Sequence, residues 1–158
     1  MKRPFLTMAA IGAALIIGIY LMSTPRGLRN KNPFNIKESK GGGIKWQGEH
    51  ALELDLTFEE FDNFGDGIRA GARILRTYRD KYGLNTIRGI ITRFAPSNEN
   101  NTAAYINSVA SQSGIEADAP IETMEDYAAI GKAMIRHENG QQPFDDNFIL
   151  EHMTRGLA

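Results

Sequence analysis

Residues 123–140 read TMEDYAAIGKAMIRHENG, and this stretch decides the fold class of the 158-residue chain. Apolar side chains recur at Tyr127, Ile130 and Met134, the spacing of one helix face. The opening letters TMED resemble a capping box, and the closing glycine is a candidate for the left-handed residue that follows a helix. The stretch therefore predicts an amphipathic helix with defined ends.

Three further helices are predicted upstream from the same spacing of apolar residues. Their predicted limits are Asp66 (N-cap) to Gly83 (stop), Asn85-Thr86 to Pro96, and Asn100-Asn101-Thr102 to Gly114. Residues 27–60 show little helical pattern, and Gly41-Gly42-Gly43 predicts a turn within a short hairpin or an irregular lobe. The expected fold class is mostly α, or α+β if the small lobe forms a hairpin.

The composition excludes several classes of protein. The chain has no Cys, which excludes a disulfide scaffold, a Cys-ligated zinc site and a thiol nucleophile. It has 18 Lys and Arg against 19 Asp and Glu, a balance that argues against a nucleic-acid-binding module. It also lacks metal-ligand spacings, phosphate loops and serine-nucleophile motifs, so no metal or cofactor is expected. Carboxylates are therefore the expected catalysts.

Residues 5–22, FLTMAAIGAALIIGIYLM, form a stretch without charge. At about 1.5 Å per residue, this stretch is long enough to span a hydrocarbon core of roughly 30 Å. A cleaved signal peptide and a buried helix are the alternatives, although signal peptides usually have apolar runs of about 7–15 residues. We expect residues 1–25 to form a membrane anchor and residues 26–158 to form one domain close to the membrane surface. Without Lys2 and Arg3 the net charge is −3, against −1 for the whole chain.

Glu138 is the candidate general acid. It follows Met134 by four residues, so it continues the apolar series of the 123–140 helix and points toward the core-facing side. Loss of water there favours the protonated form that glycosidic cleavage requires. The alternative is that Glu138 reaches solvent at the helix end and interacts with His137 or Arg136.

The remaining acidic residues and the single tryptophan each allow a structural interpretation. The acidic residues of the loop-rich lobe are Glu38, Glu49, Glu53 and Asp55. They either form a second wall of a cleft or are solvated surface charges. Glu59 and Glu60 are expected to be surface charges. Trp46 is either a core plug of the lobe or a platform on which a sugar ring stacks.

Short motifs lie in order along roughly residues 30–110. They are Asn32-Pro33-Phe34-Asn35-Ile36-Lys37, Trp46-Gln47-Gly48, Phe58 to Phe61 leading into Gly67-Ile68-Arg69-Ala70, and Asn101-Thr102-Ala103-Ala104-Tyr105-Ile106. Their order resembles the N-x-F-x-I-K, W-x-G, F-x-x-Y/F and late DP-x-Y segments of bacterial cell-wall glucosaminidases. The resemblance implies a lysozyme-like fold and a peptidoglycan substrate.

One element of that family pattern stands elsewhere in this chain. The family's catalytic Glu lies in an E-S-G-W-G segment at a helix end, upstream of N-x-F-x-I-K, where this chain has no carboxylate. Residues 133–140, AMIRHENG, instead resemble that element from the other end of the chain. A circular permutation would place Glu138 beside residues 32–37, and it requires only that the termini of the parent fold be close together.

The whole pattern, from residues 26–30 to residues 137–140, also resembles small bacteriophage virion proteins thought to open peptidoglycan during DNA delivery. The resemblance implies a virion-associated peptidoglycan hydrolase or lytic transglycosylase that cuts the β-1,4 glycan backbone. Its expected partners are peptidoglycan strands, a lipid membrane reached through residues 5–22, and other virion proteins. Its expected location is an internal virion membrane or the host envelope.

In this hypothesis Glu138 protonates the leaving oxygen and then acts as base toward water or the muramoyl 6-hydroxyl. Glu49 or Asp55 is the candidate for a second carboxylate. Trp46 and Tyr105 are predicted to bind sugar faces. Asn32 and Asn101 are predicted to bind N-acetyl groups. Two alternatives remain: a structural virion membrane protein with an inactive lysozyme-like fold, and a glycan-binding envelope protein without activity.

Overall fold

A computed structural model describes residues 24–38, 45–52, 54–98 and 100–158 of the chain. The helices of these residues are α1 (Arg26–Arg29), α2 (Phe64–Tyr82), α3 (Ile87–Phe94), α4 (Thr102–Ser113), α5 (Met124–Asn139) and α6 (Asp146–Leu157). The described residues contain no strand, only two isolated antiparallel bridges, Lys37 with Phe58 and Glu49 with Phe61. The prediction of a mostly α protein is therefore confirmed, whereas the described part of the lobe contains bridges in place of a regular hairpin.

The predicted membrane anchor lies outside the described residues, apart from its last two positions, Thr24 and Pro25. Of the helices that the structure describes, none combines the length and the apolar character needed to cross a bilayer.

Side-chain caps fix the helix starts, as the sequence predicted for α3, α4 and α5. Thr123 accepts a hydrogen bond from the Asp126 amide, and the Asp126 carboxylate accepts one from the Thr123 amide, which completes the capping box. The predicted start of α2 was wrong. Asn63, not Asp66, is its N-cap, because the Asn63 side chain already accepts the Asp66 amide at 2.9 Å.

Helices α1 and α6 were not predicted from the sequence. In α6 the apolar side chains Ile149, Met153 and Leu157 recur every four residues, and all three are buried. Asp145 caps the helix by accepting the Phe148 amide at 2.9 Å. Helix α6 packs against α2 and α5 and closes one side of the core. Its apolar pattern was present in the sequence and was overlooked.

Helix α5 lies at the centre of the fold and packs against α1, α4 and α6. The predicted core face of this helix, Tyr127, Ile130 and Met134, is at most 2% exposed. We name residues 24–62 the N-terminal lobe and residues 63–158 the helical region. Phe34, which is fully buried, joins the two by packing against Gly71, where a Cβ atom would lie 2.3 Å from its ring.

Candidate active site

The turn at residues 32–37 is held by the buried side chain of Asn32. Its amide nitrogen donates to the carbonyl oxygens of Ile36 and Glu59, both at 2.9 Å, and its oxygen accepts the Ile36 amide at 2.9 Å. The side chain has no solvent exposure. The prediction that Asn32 binds an N-acetyl group is therefore corrected: its amide is used up by the chain's own backbone.

Asn35, three residues further along, points toward Glu138. Its φ of 49° lies in the left-handed region, which Asn tolerates better than most residues because its short polar side chain bonds locally. The Asn35 amide nitrogen donates to Glu138 Oε2 at 2.9 Å. Residues 32–37 and Glu138, at opposite ends of the sequence, are thus in contact, as the permutation hypothesis requires.

The C-terminal end of α5 is fastened to the same turn by the next residue. The buried Asn139 side chain donates to the Pro33 carbonyl oxygen at 2.8 Å and to the Ile135 carbonyl oxygen at 2.9 Å. Gly140 then ends the helix with a φ of 69°, which favours glycine. The half-buried Glu138 side chain is therefore positioned by a helix end that is hydrogen-bonded to the lobe.

The Glu138 side chain lines a cleft of about 420 Å³ between the N-terminal lobe and the helical region. The other residues that line it come from the lobe, α2 and the α3–α4 connection: Asn35, Ile36, Lys37, Phe58, Ile74, Tyr78, Phe94, Ala95, Pro96 and Asn100. Among the described lining residues, Glu138 is the only carboxylate. Apolar walls with a few amide groups are suited to the faces and substituents of a sugar ring.

Tyr105 lies behind Glu138 and not on the cleft surface. Its side chain is buried and its ring stacks on His137, with centroids 3.7 Å apart. Burial raises the pKa of Tyr105 well above its usual range, and the nearby negative charge of Glu138 raises it further. Loss of solvation lowers the pKa of His137. The predicted sugar-stacking role of Tyr105 is not what its location supports, because both its ring and its hydroxyl are enclosed.

The predicted second carboxylate, Glu49, lies in the lobe and does not line the cleft. Its side chain accepts the Trp46 backbone amide at 2.8 Å. Asp55 is bound by Arg26 at 2.6 Å and by Asn30 at 2.7 Å, and these donors hold the pKa of Asp55 well below its usual range. Neither carboxylate is placed to act with Glu138.

Glu59 was predicted to be a surface charge and is instead buried, with 1% exposure. The half-buried Trp46 donates its indole N–H to Glu59 Oε1 at 3.2 Å. Burial first, and then the neighbouring carboxyl groups of Glu38 and Glu49, raise the pKa of Glu59 to about 7. Trp46 is therefore bonded to Glu59 inside the lobe and does not line the Glu138 cleft, while its stacking on a sugar ring stays a prediction.

Asn101 caps α4 by accepting the Ala104 amide at 3.1 Å, so the residue predicted to bind a glycan has a structural task. Its neighbour Asn100 lines the cleft instead. Residues 100–102 thus lie at the rim of the cleft, where Asn100 and not Asn101 contributes to the lining.

A second depression, of about 300 Å³, lies between α5 and α6. It contains Lys132 and Asp146, which form an ion pair with each other at its surface. It lies away from residues 32–37. Among the described residues, no group of three or more His, Asp or Glu side chains is placed to hold a metal ion. The Glu138 cleft is therefore the better candidate for an active site.

The described residues define a small helical protein in which the carboxylate of Glu138, at a helix end, faces an open groove. No protein-family model matches the chain. The chain is 53% identical, over 138 residues, to Protein P5 of Pseudoalteromonas phage PM2, and this match covers 87% of the chain and 85% of the phage protein. The chain therefore belongs to the same family as this bacteriophage protein, which confirms the predicted phage character.

Proposed function

We propose that this protein is virion-associated and cleaves the β-1,4 glycan backbone of peptidoglycan, with Glu138 as the catalytic residue. The observation that carries the proposal is the 2.9 Å hydrogen bond between Asn35 and Glu138 at the wall of the cleft. It brings the segment that resembles N-x-F-x-I-K together with the segment that resembles a helix-end catalytic Glu. The kinship with a phage protein supports a role in the virion.

The reaction needs a proton donor at the leaving glycosidic oxygen. Protonated Glu138 donates its proton to that oxygen while the C1–O bond breaks with its electron pair. The resulting carboxylate then accepts a proton from the nucleophile as the nucleophile bonds to C1. The Asn35 amide fixes one carboxylate oxygen in the meantime, so that Oε1 is the atom left for the proton.

A single carboxylate in the described cleft favours the muramoyl 6-hydroxyl as nucleophile. Hydrolysis with inversion or retention normally uses two carboxyl groups that flank the scissile bond. Glu49 and Asp55 are engaged inside the lobe. An internal hydroxyl needs only a base, and it leaves a 1,6-anhydromuramoyl end without consuming water. We therefore favour a lytic transglycosylase over a hydrolase.

The walls of the cleft are suited to an amino-sugar polymer. Tyr78 and Phe94 offer apolar and aromatic surface, and the amide of Asn100 offers hydrogen bonds for an N-acetyl group. Because the groove is open, a long glycan strand can lie across it and extend into solvent on both sides. These residues replace Asn32, Asn101 and Tyr105 as the proposed glycan-binding set.

The proposal is tested by incubating purified peptidoglycan with the full chain and with Glu138→Gln, and then analysing the released fragments. We expect the wild type to release fragments with anhydromuramoyl ends, and Glu138→Gln to lose at least about a hundredfold in rate, as is usual for removal of a general acid–base. Glu125→Gln, an exposed position on the same helix, is the matched control and should keep full activity.

Each other outcome has a definite meaning. Equal activity of Glu138→Gln and wild type would reject Glu138 as the catalytic residue. Fragments with reducing muramoyl ends would identify a hydrolase. No release by a folded wild-type protein would reject the enzymatic proposal and leave the structural virion protein as the better description.

A further inference from the structure

Three leucines on one loop of the N-terminal lobe face solvent. Leu52, Leu54 and Leu56 are 69%, 76% and 84% exposed, respectively. They occupy alternate positions within five residues of the chain. Exposed leucines scattered singly are ordinary, but three on one short loop form a patch that marks an interaction surface. We call these three residues the leucine loop.

The acidic residue between the last two leucines is turned inward. The side chain of Asp55 is 10% exposed and is held by Arg26 and Asn30. The bonds from Asp55 to the amides of Thr57 and Phe58 fix the backbone next to Leu56. The charge of Asp55 is therefore paired with Arg26, and Leu54 and Leu56 on either side of it face outward.

The same contacts place the leucine loop beside the start of the described chain. Arg26, which binds Asp55, follows the uncharged stretch of residues 5–22 by four positions. Four residues span at most about 14 Å even when fully extended. At most about 14 Å of chain therefore joins residue 22 to Arg26, which contacts the loop. Arg26 and Arg29 also line the same shallow depression as Leu54 and Leu56.

We propose that the leucine loop inserts into the interface of the lipid bilayer that residues 5–22 enter. The chain would then meet the membrane at two adjacent points, with the leucines among the acyl chains and the arginines at the height of the phosphates. Asp55 does not oppose this, because its charge is paired. The inference rests on residues 5–22 entering a bilayer and is independent of the proposed catalytic activity.

The bilayer is favoured over a protein occupant by the position of the loop. A domain tied to a membrane by only three intervening residues, 23–25, is held with its attachment face toward the lipid. The leucine loop is bonded to that attachment face through Arg26. A second copy of the chain or residues 5–22 themselves are the competing occupants, and the experiment separates both of them from lipid.

The test uses the absence of Cys from the chain, which allows a single label at a chosen position. The full chain carrying Leu54→Cys or Leu56→Cys is labelled with an environment-sensitive fluorophore and reconstituted into vesicles of phosphatidylcholine and phosphatidylglycerol. Ser111→Cys is the control, since this exposed residue lies on α4, which packs against α3 and α5. Circular dichroism shows that each labelled protein is folded.

We expect lipids with a nitroxide on the acyl chain to quench the labels at positions 54 and 56 strongly and the label at 111 weakly. Dissolved iodide should give the reverse order. Quenching of all three labels by iodide alone would overturn the proposal. Protection of positions 54 and 56 from both quenchers would also overturn it, because a protein surface and not lipid would then cover the loop.

Discussion

The N-terminal lobe and the helical region are held together by different physics, although both contribute to the cleft. In the helical region, each helix starts at a local cap and buries an apolar face. In the lobe, shape depends on side chains that bond backbone groups far along the sequence, such as Asn32 with the carbonyl oxygen of Glu59. Helical packing sets where Glu138 stands, whereas the lobe sets which way its carboxylate points.

The boundary between the two regions is where a substitution should have the largest effect. At Gly67 in α2, a Cβ atom would lie 2.0 Å from the carbonyl oxygen of Lys31. That oxygen belongs to backbone with a φ of 51° at Lys31, so it has little freedom to move away. We expect Gly67→Ala to lower the free energy of unfolding by about 3 kcal/mol, measured by urea denaturation.

Gly89→Ala is the matched control, because Gly89 also lies in a helix but a Cβ atom there would be 3.2 Å from a side-chain oxygen. Ala gains up to about 1 kcal/mol of helix propensity over Gly, so this variant should stay close to the wild type. If the two variants were equally stable, the lobe would not be tightly seated on α2, and the contrast between the regions would fail.

Asn32→Ala tests the bonding inside the lobe. The substitution leaves the buried Ile36 amide and the carbonyl oxygen of Glu59 without their partner, whereas the Ile36 carbonyl oxygen still accepts the Glu59 amide. Unsatisfied buried groups cost about 1–3 kcal/mol, and we expect a loss of about 2 kcal/mol in the free energy of unfolding. Asn107→Ala, at an exposed position in α4, should be neutral in the same measurement. A neutral Asn32→Ala would show that the lobe does not depend on this amide.

The two regions also differ in how far the sequence predicted them. Apolar spacing and capping residues gave α3, α4 and α5 correctly, because these signals are local. Only α6, with the same kind of signal, was overlooked. Asn32 in the lobe and Asn101 at the start of α4 were both assigned to substrate, although both bond backbone. Nothing local distinguishes an amide that binds a ligand from one that binds its own chain.

The prediction of the candidate site used both local apolar spacing and the order of motifs along the chain. The apolar spacing of α5 put Glu138 on the core-facing side, where the structure places it, half-buried at the cleft wall. Its contact with Asn35 spans 103 positions of sequence and followed only from the order of motifs. The burial of Glu59 was not foreseen, because it depends on Trp46 folding back over the lobe.

Replacing Glu59 has the smallest expected effect on stability, and it tests a feature of the lobe. Its pKa is raised from 4.5 to about 7 in the folded protein, so the folded state binds more protons than the unfolded state between these values. Stability must then fall as the pH rises from about 4.5 to about 7, and it stays low above that range. Each unit of pKa is worth about 1.4 kcal/mol, but part of the raised pKa comes from the neighbouring carboxyl groups of Glu38 and Glu49, so we expect less than the full value. Glu59→Gln keeps an oxygen for the Trp46 indole and removes the charge. We expect it to stabilise the protein by about 1 kcal/mol near pH 8 and to have little effect near pH 4, measured by thermal denaturation across this range.

The exposed Glu125→Gln in α5 should show no such dependence on pH. If Glu59→Gln destabilised the protein equally at both pH values, the Glu59 carboxyl would serve the lobe as a hydrogen-bonding group whose charge carries no penalty.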